Sequence, residues 1–280
     1  MREIKVGAIT EAVKALCMKA NYYLPQDIYT ALQEGHDREV SPVGKDILKD
    51  ICHNADIARS EDLPICQDTG TAVVFVRLGQ EVHITGGLLQ DAINEGVSQG
   101  YVEGYLRKSI VENPLYRKNT GDNTPAIIHY EIVEGDSLEI MVAPKGGGSE
   151  NMSKVYMLTP SQGVEGVKKA VLEAVTLAGP NACLPVVVGI GLGGNFEKCT
   201  LLAKKALTRE LGSKNKDPRM AELEAELLEE INHLGIGPQG LGGNVTALGV
   251  HIESYPCHIA SMPLAINMGC HVNRHKSIRL

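Results

Sequence analysis

Aromatic side chains are scarce: the 280-residue chain has no tryptophan and only two phenylalanines. Its core must therefore be built from Leu, Ile, Val, Ala and Met. No two of its seven cysteines (Cys17, Cys52, Cys66, Cys183, Cys199, Cys257 and Cys270) form a CxxC pair. An odd number at wide spacing excludes a small disulfide scaffold and fits reduced thiols. No apolar run is long enough to span a membrane, and the N-terminus MREIKVGAIT has no apolar signal core, so the expectation is a cytoplasmic protein away from membranes. An excess of basic residues is also missing. The formal net charge of -7 repels phosphate backbones and argues against nucleic-acid binding. With no Ser/Pro-rich linker, residues 1–280 read as one domain.

What the chain does have is glycine, 30 residues in clusters, which signals tight turns or close backbone approach. Apolar periodicity predicts two helices over residues 9–34, broken near Leu24–Pro25, and another over 43–60. TAVVFVRLG reads as a buried strand and residues 86–107 as a helix. AIIHYEIVEGDSLEIMVAPKGGG reads as a hairpin turning at Glu134–Ser137. After SQG at residues 161–163, a helix running to about Ala178 precedes the strand PVVVGI. Two helices follow over 195–211 and 217–233. The second is highly charged without a wide apolar stripe and is assigned to the surface. From Asn244 onward the pattern is strand-like. The fold class is α/β (mixed α+β), with mixed sheets flanked by helices.

VVVGIGLGGN matches G-x-G-x-x-G through Gly189, Gly191 and Gly194, but the acidic residue that a dinucleotide fold needs about 20 positions later is replaced by ALTRELGSKNKDP. An NAD-binding oxidoreductase is therefore the lower-ranked reading. GIGLGGN recurs as GIGPQGLGGN at 235–244, which suggests either two related loops at strand ends or coincidence. PKGGGSEN at 144–151 reads as a ligand loop rather than a P-loop, because its glycines free several backbone N–H groups. Cys17, Cys52 and Cys199 lie in helical patterns and read as core. Cys66, Cys183, Cys257 and Cys270 lie in irregular or strand-end segments that could present a thiolate to a metal. His258 and His271 each follow a cysteine, without zinc spacing.

Five segments, in order, resemble one family: LPICQDTGTAVVFVRLG, NTGDNTPAIIHYEIVEGDSLEIMVAPKGGGSENMS, GPNACLPVVVGIGLGGN, GIGPQGLGGNVTALGV and NMGCHVNRH. The resemblance is to the α-subunits of two-subunit class I iron–sulfur fumarases and of L-tartrate dehydratases, and to the N-terminal domain of single-chain class I fumarases. It implies a hydro-lyase in which Cys66, Cys183 and Cys270 hold a [4Fe–4S] cluster whose fourth iron has no protein ligand. It also implies that Gln67, Arg107, Gly147 and Gly148 bind a small dicarboxylate, and that Asp68 and His258 handle or orient protons. Cys257 is thereby demoted. A β-subunit, in a heterodimer or heterotetramer, is expected to supply the rest of the site. The leading reaction is fumarate to L-malate, a tricarboxylic acid cycle step. The alternative is L-tartrate dehydration, which differs by one substrate hydroxyl.

Overall fold

A computed structural model describes residues 2–280. In chain order its elements are β1 (Arg2–Lys5), α1 (Val6–Tyr22), α2 (Gln26–Arg38), α3 (Pro42–Glu61), β2 (Thr71–Gly79), β3 (Val82–Thr85), α4 (Leu89–Glu103), β4 (Ile127–Val133), β5 (Leu138–Lys145), α5 (Gly147–Glu150), β6 (Lys154–Leu158), α6 (Gly163–Ala178), β7 (Val186–Gly193), α7 (Phe196–Ala206), α8 (Pro218–His233), β8 (Ala247–Tyr255), β9 (Met262–Gly269) and β10 (Lys276–Arg279). The expected mixed α/β class, with helices beside mixed sheets, holds. Among the described residues no helix is long and apolar enough to cross a membrane. The contacts group into two compact units: Met1–Leu24, Asp56–Gly147 and Arg274–Leu280 form the first, and Pro25–Ala55 with Gly148–Asn273 form the second.

The first unit holds a four-stranded sheet in the order β10-β5-β2-β4, and the small parallel pair β1-β3. β4 and β5 are consecutive in the chain but do not form the expected hairpin. β2 lies between them, parallel to β4 and antiparallel to β5. The reason lies in β2 itself. Ala72, Val73, Val74 and Val76 are all buried, so the strand needs cover on both faces and takes a central place. The 134–137 turn then arches over its end, where Gly79 N–H donates to Ser137 C=O at 2.8 Å and Glu81 N–H to Gly135 C=O at 3.0 Å. α1 packs on α4 along Gly96 and Gly100. A Cβ at Gly96 would lie 2.6 Å from the Thr10 carbonyl oxygen, and one at Gly100 would lie 2.9 Å from Cys17 Cβ. α4 ends at Glu103, earlier than the periodicity suggests, which leaves Arg107 in a loop.

The second unit repeats the wiring. Its sheet runs β6-β9-β7-β8, with β7 parallel to β8 and antiparallel to β9. In both units, therefore, the loop entering the central strand lies beside the loop leaving its antiparallel neighbour. Thr71 of β2 pairs with Lys145 of β5, and Val187 of β7 pairs with Gly269 of β9. The G-x-G-x-x-G glycines serve this sheet. Gly189 and Gly191 share one face of β7, where added Cβ atoms would sit 2.3 Å from the Ala203 carbonyl oxygen and 1.9 Å from that of Cys199, both in α7. Its partial repeat lies elsewhere, in the loop between α8 and β8, so the two are not equivalent loops at strand ends. α8 keeps its charged face at the surface, as expected, but its other face is part of the core. Leu223, Leu227 and Ile231, four apart, form a narrow stripe that joins the core with Val171, Val175, Val188 and Val250.

Candidate active site

In the first unit, the loop Cys66–Gly70 enters β2 beside the glycines that leave β5. The Asp68 carboxylate bridges the two loops. Its Oδ1 accepts from Gly70 N–H at 3.0 Å and its Oδ2 from Gly147 N–H at 2.7 Å. Asp68 N–H points at Cys66 Sγ, 3.4 Å away, so this sulfur acts as an acceptor. Three buried side chains fix the loop backbone. Tyr101 O–H donates to Thr69 C=O at 2.7 Å, Asn123 Nδ2 to Gly70 C=O at 3.0 Å, and Arg274 Nη2 to Asp68 C=O at 2.5 Å. Burial pushes the Tyr101 hydroxyl pKa up, which keeps it a donor. Thr69 Oγ1 donates to Arg107 C=O at 3.0 Å. That bond pins the Arg107 backbone to the loop, while its exposed guanidinium takes no partner among the described residues. Gln67 is likewise exposed.

In the second unit, Cys183 enters β7 and Cys270 leaves β9. Cys183 is exposed in the left-handed region (φ 56°, ψ 68°), a sparsely populated conformation for a non-glycine residue. His271, next to Cys270, holds it there. His271 N–H donates to Cys183 C=O at 3.2 Å, and Nδ1 lies 2.9 Å from the same oxygen. A carbonyl only accepts, so His271 carries its proton on Nδ1. Gln239 Nε2, 3.3 Å from that Nδ1, is then a contact between donors; its hydrogen bond goes to Leu184 C=O at 2.6 Å. Gly148 is exposed in the one-turn α5. The residues after it are held firmly: Glu150 pairs with Lys204 and accepts from Asn267 Nδ2 at 2.7 Å. His258 lies on an exposed loop and borders a cavity of about 410 Å³ with Asn195, Lys198, Tyr255 and Cys257. Its Nδ1 accepts from Ala260 N–H at 3.1 Å, so the neutral ring presents Nε2–H as a donor.

The family model described as Fumarate hydratase (Fumerase) matches residues 10–279. The chain belongs to this family. A Methanocaldococcus jannaschii protein with the provisional name L(+)-tartrate dehydratase subunit alpha is 43% identical over 278 residues, 97% of each chain. The L(+)-tartrate dehydratase subunit alpha of Escherichia coli strain K12 is 36% identical over 276 residues, 98% of this chain and 91% of that one. The Shigella sonnei protein of the same name gives the same figures.

In this fumarate hydratase family member the cysteines divide by environment. Cys17 and Cys199 are fully buried; burial pushes the Cys17 thiol up to about 12 and also raises that of Cys199. Cys257 donates its S–H to Ser261 C=O at 3.3 Å. Cys52, expected in the core, is only half-buried. Several supporting residues had no signal in the sequence. Asn21, Tyr101, Asn123, Gln239 and Arg274 are ordinary polar residues far along the chain from the loops they hold. Asn123, Gln239, His271 and Arg274 lie inside segments that resemble the family, whereas Asn21 and Tyr101 do not.

Proposed function

We propose that this chain is the α-subunit of an iron–sulfur hydro-lyase that interconverts fumarate and L-malate, with a separate β-subunit completing the active site. The observation that carries the reading is the family match over residues 10–279. The local geometry supports it, because within each unit the candidate cysteines fall at the same topological place: Cys66 enters β2 in the first, and Cys183 enters β7 and Cys270 leaves β9 in the second. Cys66, Cys183 and Cys270 are the thiolates we assign to a [4Fe–4S] cluster, and their chemistry fits. None is a fully buried thiol, and Cys66 already accepts an N–H, the kind of hydrogen bond that tunes cluster sulfurs. Among the described residues no three His, Cys, Asp or Glu side chains converge on one ion. A cubane needs no such convergence, since each cysteine takes its own iron. When bound, the cluster supplies an open iron as a Lewis acid toward the substrate's oxygens.

The chain's own residues bind and orient. The Arg107 guanidinium is free to form a bidentate pair with one substrate carboxylate. The Gly148 N–H and the Gln67 amide take polar groups of the other end; the Gly147 N–H is held by Asp68 Oδ2, so Gly147 contributes room for close approach. Asp68 has both oxygens engaged by backbone N–H groups, so it is held in one orientation. His258 presents Nε2–H, suited to giving a hydrogen bond that orients a leaving or attacking oxygen. The relatives are named as alpha subunits, which supports a β-partner here in a heterodimer or heterotetramer. The thiols suit a reducing, cytoplasmic setting.

The relatives' names favour a second reading, L-tartrate to oxaloacetate. The two are separated by assaying the anaerobically reconstituted α–β complex on both substrates, with the α-chain alone as control. Fumarate hydration by the complex, with little from the chain alone, supports the lead. Oxaloacetate from L-tartrate without fumarate hydration replaces it, and full activity of the α-chain alone removes the β-subunit from the account.

A further inference from the structure

We propose that Asn21 and Arg274 form a brace that sets Cys66 and Asp68; both are positioning residues, and their purpose rests on the function proposed above. All the contacts lie within the first unit. Asn21 is fully buried in the last turn of α1. Its C=O accepts from Ile65 N–H at 2.9 Å, and its Nδ2 donates to Cys17 C=O at 2.9 Å. The second bond fixes the amide, so Oδ1 must face away from Cys17. There Arg274 Nε donates to it at 3.1 Å. Arg274, 4% exposed, donates its Nη2 to Asp68 C=O. Cys66 therefore sits between two anchored points: Ile65, held by the Asn21 backbone carbonyl, and Asp68, held by the Arg274 side chain that the Asn21 amide orients. A third bond, from Asp68 N–H to Cys66 Sγ, closes the loop on its own sulfur.

The choice of arginine follows from geometry and charge. Nε and Nη2 are fixed in one plane, so a single guanidinium spans two acceptors that the point charge of a lysine could not serve together. A cation under the Cys66–Asp68 loop complements the negative charge that a thiolate ligand and a dicarboxylate would bring there.

The test is hydrogen exchange followed by mass spectrometry on the full apo chain, comparing wild type, Arg274→Ala and Arg274→Lys. Loss of a charged hydrogen-bond donor predicts about tenfold faster exchange for the peptide covering residues 65–70, with the peptide covering 183–188 unchanged. Guanidinium ion at millimolar concentration restores protection in Arg274→Ala, whereas Arg274→Lys remains fast. Iron and sulfide uptake falls in step. Unchanged exchange at 65–70, or an equal rise in both peptides, overturns the brace. If Arg274→Ala does not fold, Arg274→Lys carries the same comparison. A wild-type chain that takes up no cluster counts against the proposed function, while the apo exchange data still decide the brace.

Discussion

Glu39→Gln tests how the second unit holds the loop before β8. The Glu39 side chain is 2% exposed and has no cationic partner among the described residues. Its charge is met by backbone N–H groups instead. Oε1 accepts from Val40 at 2.8 Å and Ser41 at 2.9 Å, Oε2 accepts from Val245 at 2.9 Å, and Asn244 N–H lies within 3.0 Å of both oxygens. A glutamine must aim its NH2 at one of these donor sets, whichever way the amide turns. At least one buried N–H then loses its acceptor, at about 1–3 kcal/mol, and the remaining bonds lose their charge assistance. The expected loss is about 2–4 kcal/mol, read from urea denaturation at pH 7. The pH dependence has a definite sign. Burial pulls the Glu39 pKa upward, but the N–H groups of Ser41, Asn244, Val245 and Val40 outweigh it and hold the pKa below the ordinary 4.5. A depressed folded pKa contributes stability that is complete above the unfolded pKa and is lost as pH falls through the folded value. The gap between wild type and variant should therefore be full above about pH 4.5 and close on further acidification. A gap under about 0.5 kcal/mol at pH 7, or one that widens in acid, refutes the reasoning.

Gly100→Ala places a methyl 2.9 Å from Cys17 Cβ and should cost about 1–3 kcal/mol by overpacking α1 against α4, measured by the same denaturation. Gly191→Ala meets the Cys199 carbonyl oxygen at 1.9 Å and should give insoluble or unfolded protein, while the wild type shows no retention on a nicotinamide affinity matrix. His258→Asn, on an exposed loop, should leave stability within about 0.5 kcal/mol and lower the turnover of the complex by about 10²–10⁴.

Most element positions were legible in the sequence because their signals are local: the break at Leu24–Pro25, the apolar run of β2, the period of α6. Strand pairing was not. Glu134–Ser137 looks like a hairpin turn, and nothing local says that β2, fifty residues earlier, takes the place between its strands. α8 was legible as a surface helix from its charge, but the core role of Leu223, Leu227 and Ile231, flanked by half-buried Met220 and Leu228, follows from β8 packing against the helix. The G-x-G-x-x-G glycines are explained by α7, whose backbone approach no pattern within the motif announces. At the site, resemblance supplied the cysteines, because isolated cysteines at wide spacing do not select one another. The supporting shell escaped for the opposite reason. Tyr101 and Asn123 act through buried hydrogen bonds to distant backbone, and Asn21 through the side chain of Arg274, which leave no spacing to read.

The central claim is that Cys66, Cys183 and Cys270 hold a cluster. The direct measurement is an anaerobic visible spectrum with iron and sulfide analysis of the reconstituted chain and its cysteine variants. The account predicts a broad brown absorption band with about four irons per chain, lost in Cys66→Ser, Cys183→Ser and Cys270→Ser and kept in Cys257→Ser. A colourless wild-type chain that stays colourless with its β-subunit, or a spectrum that survives all three substitutions, contradicts it.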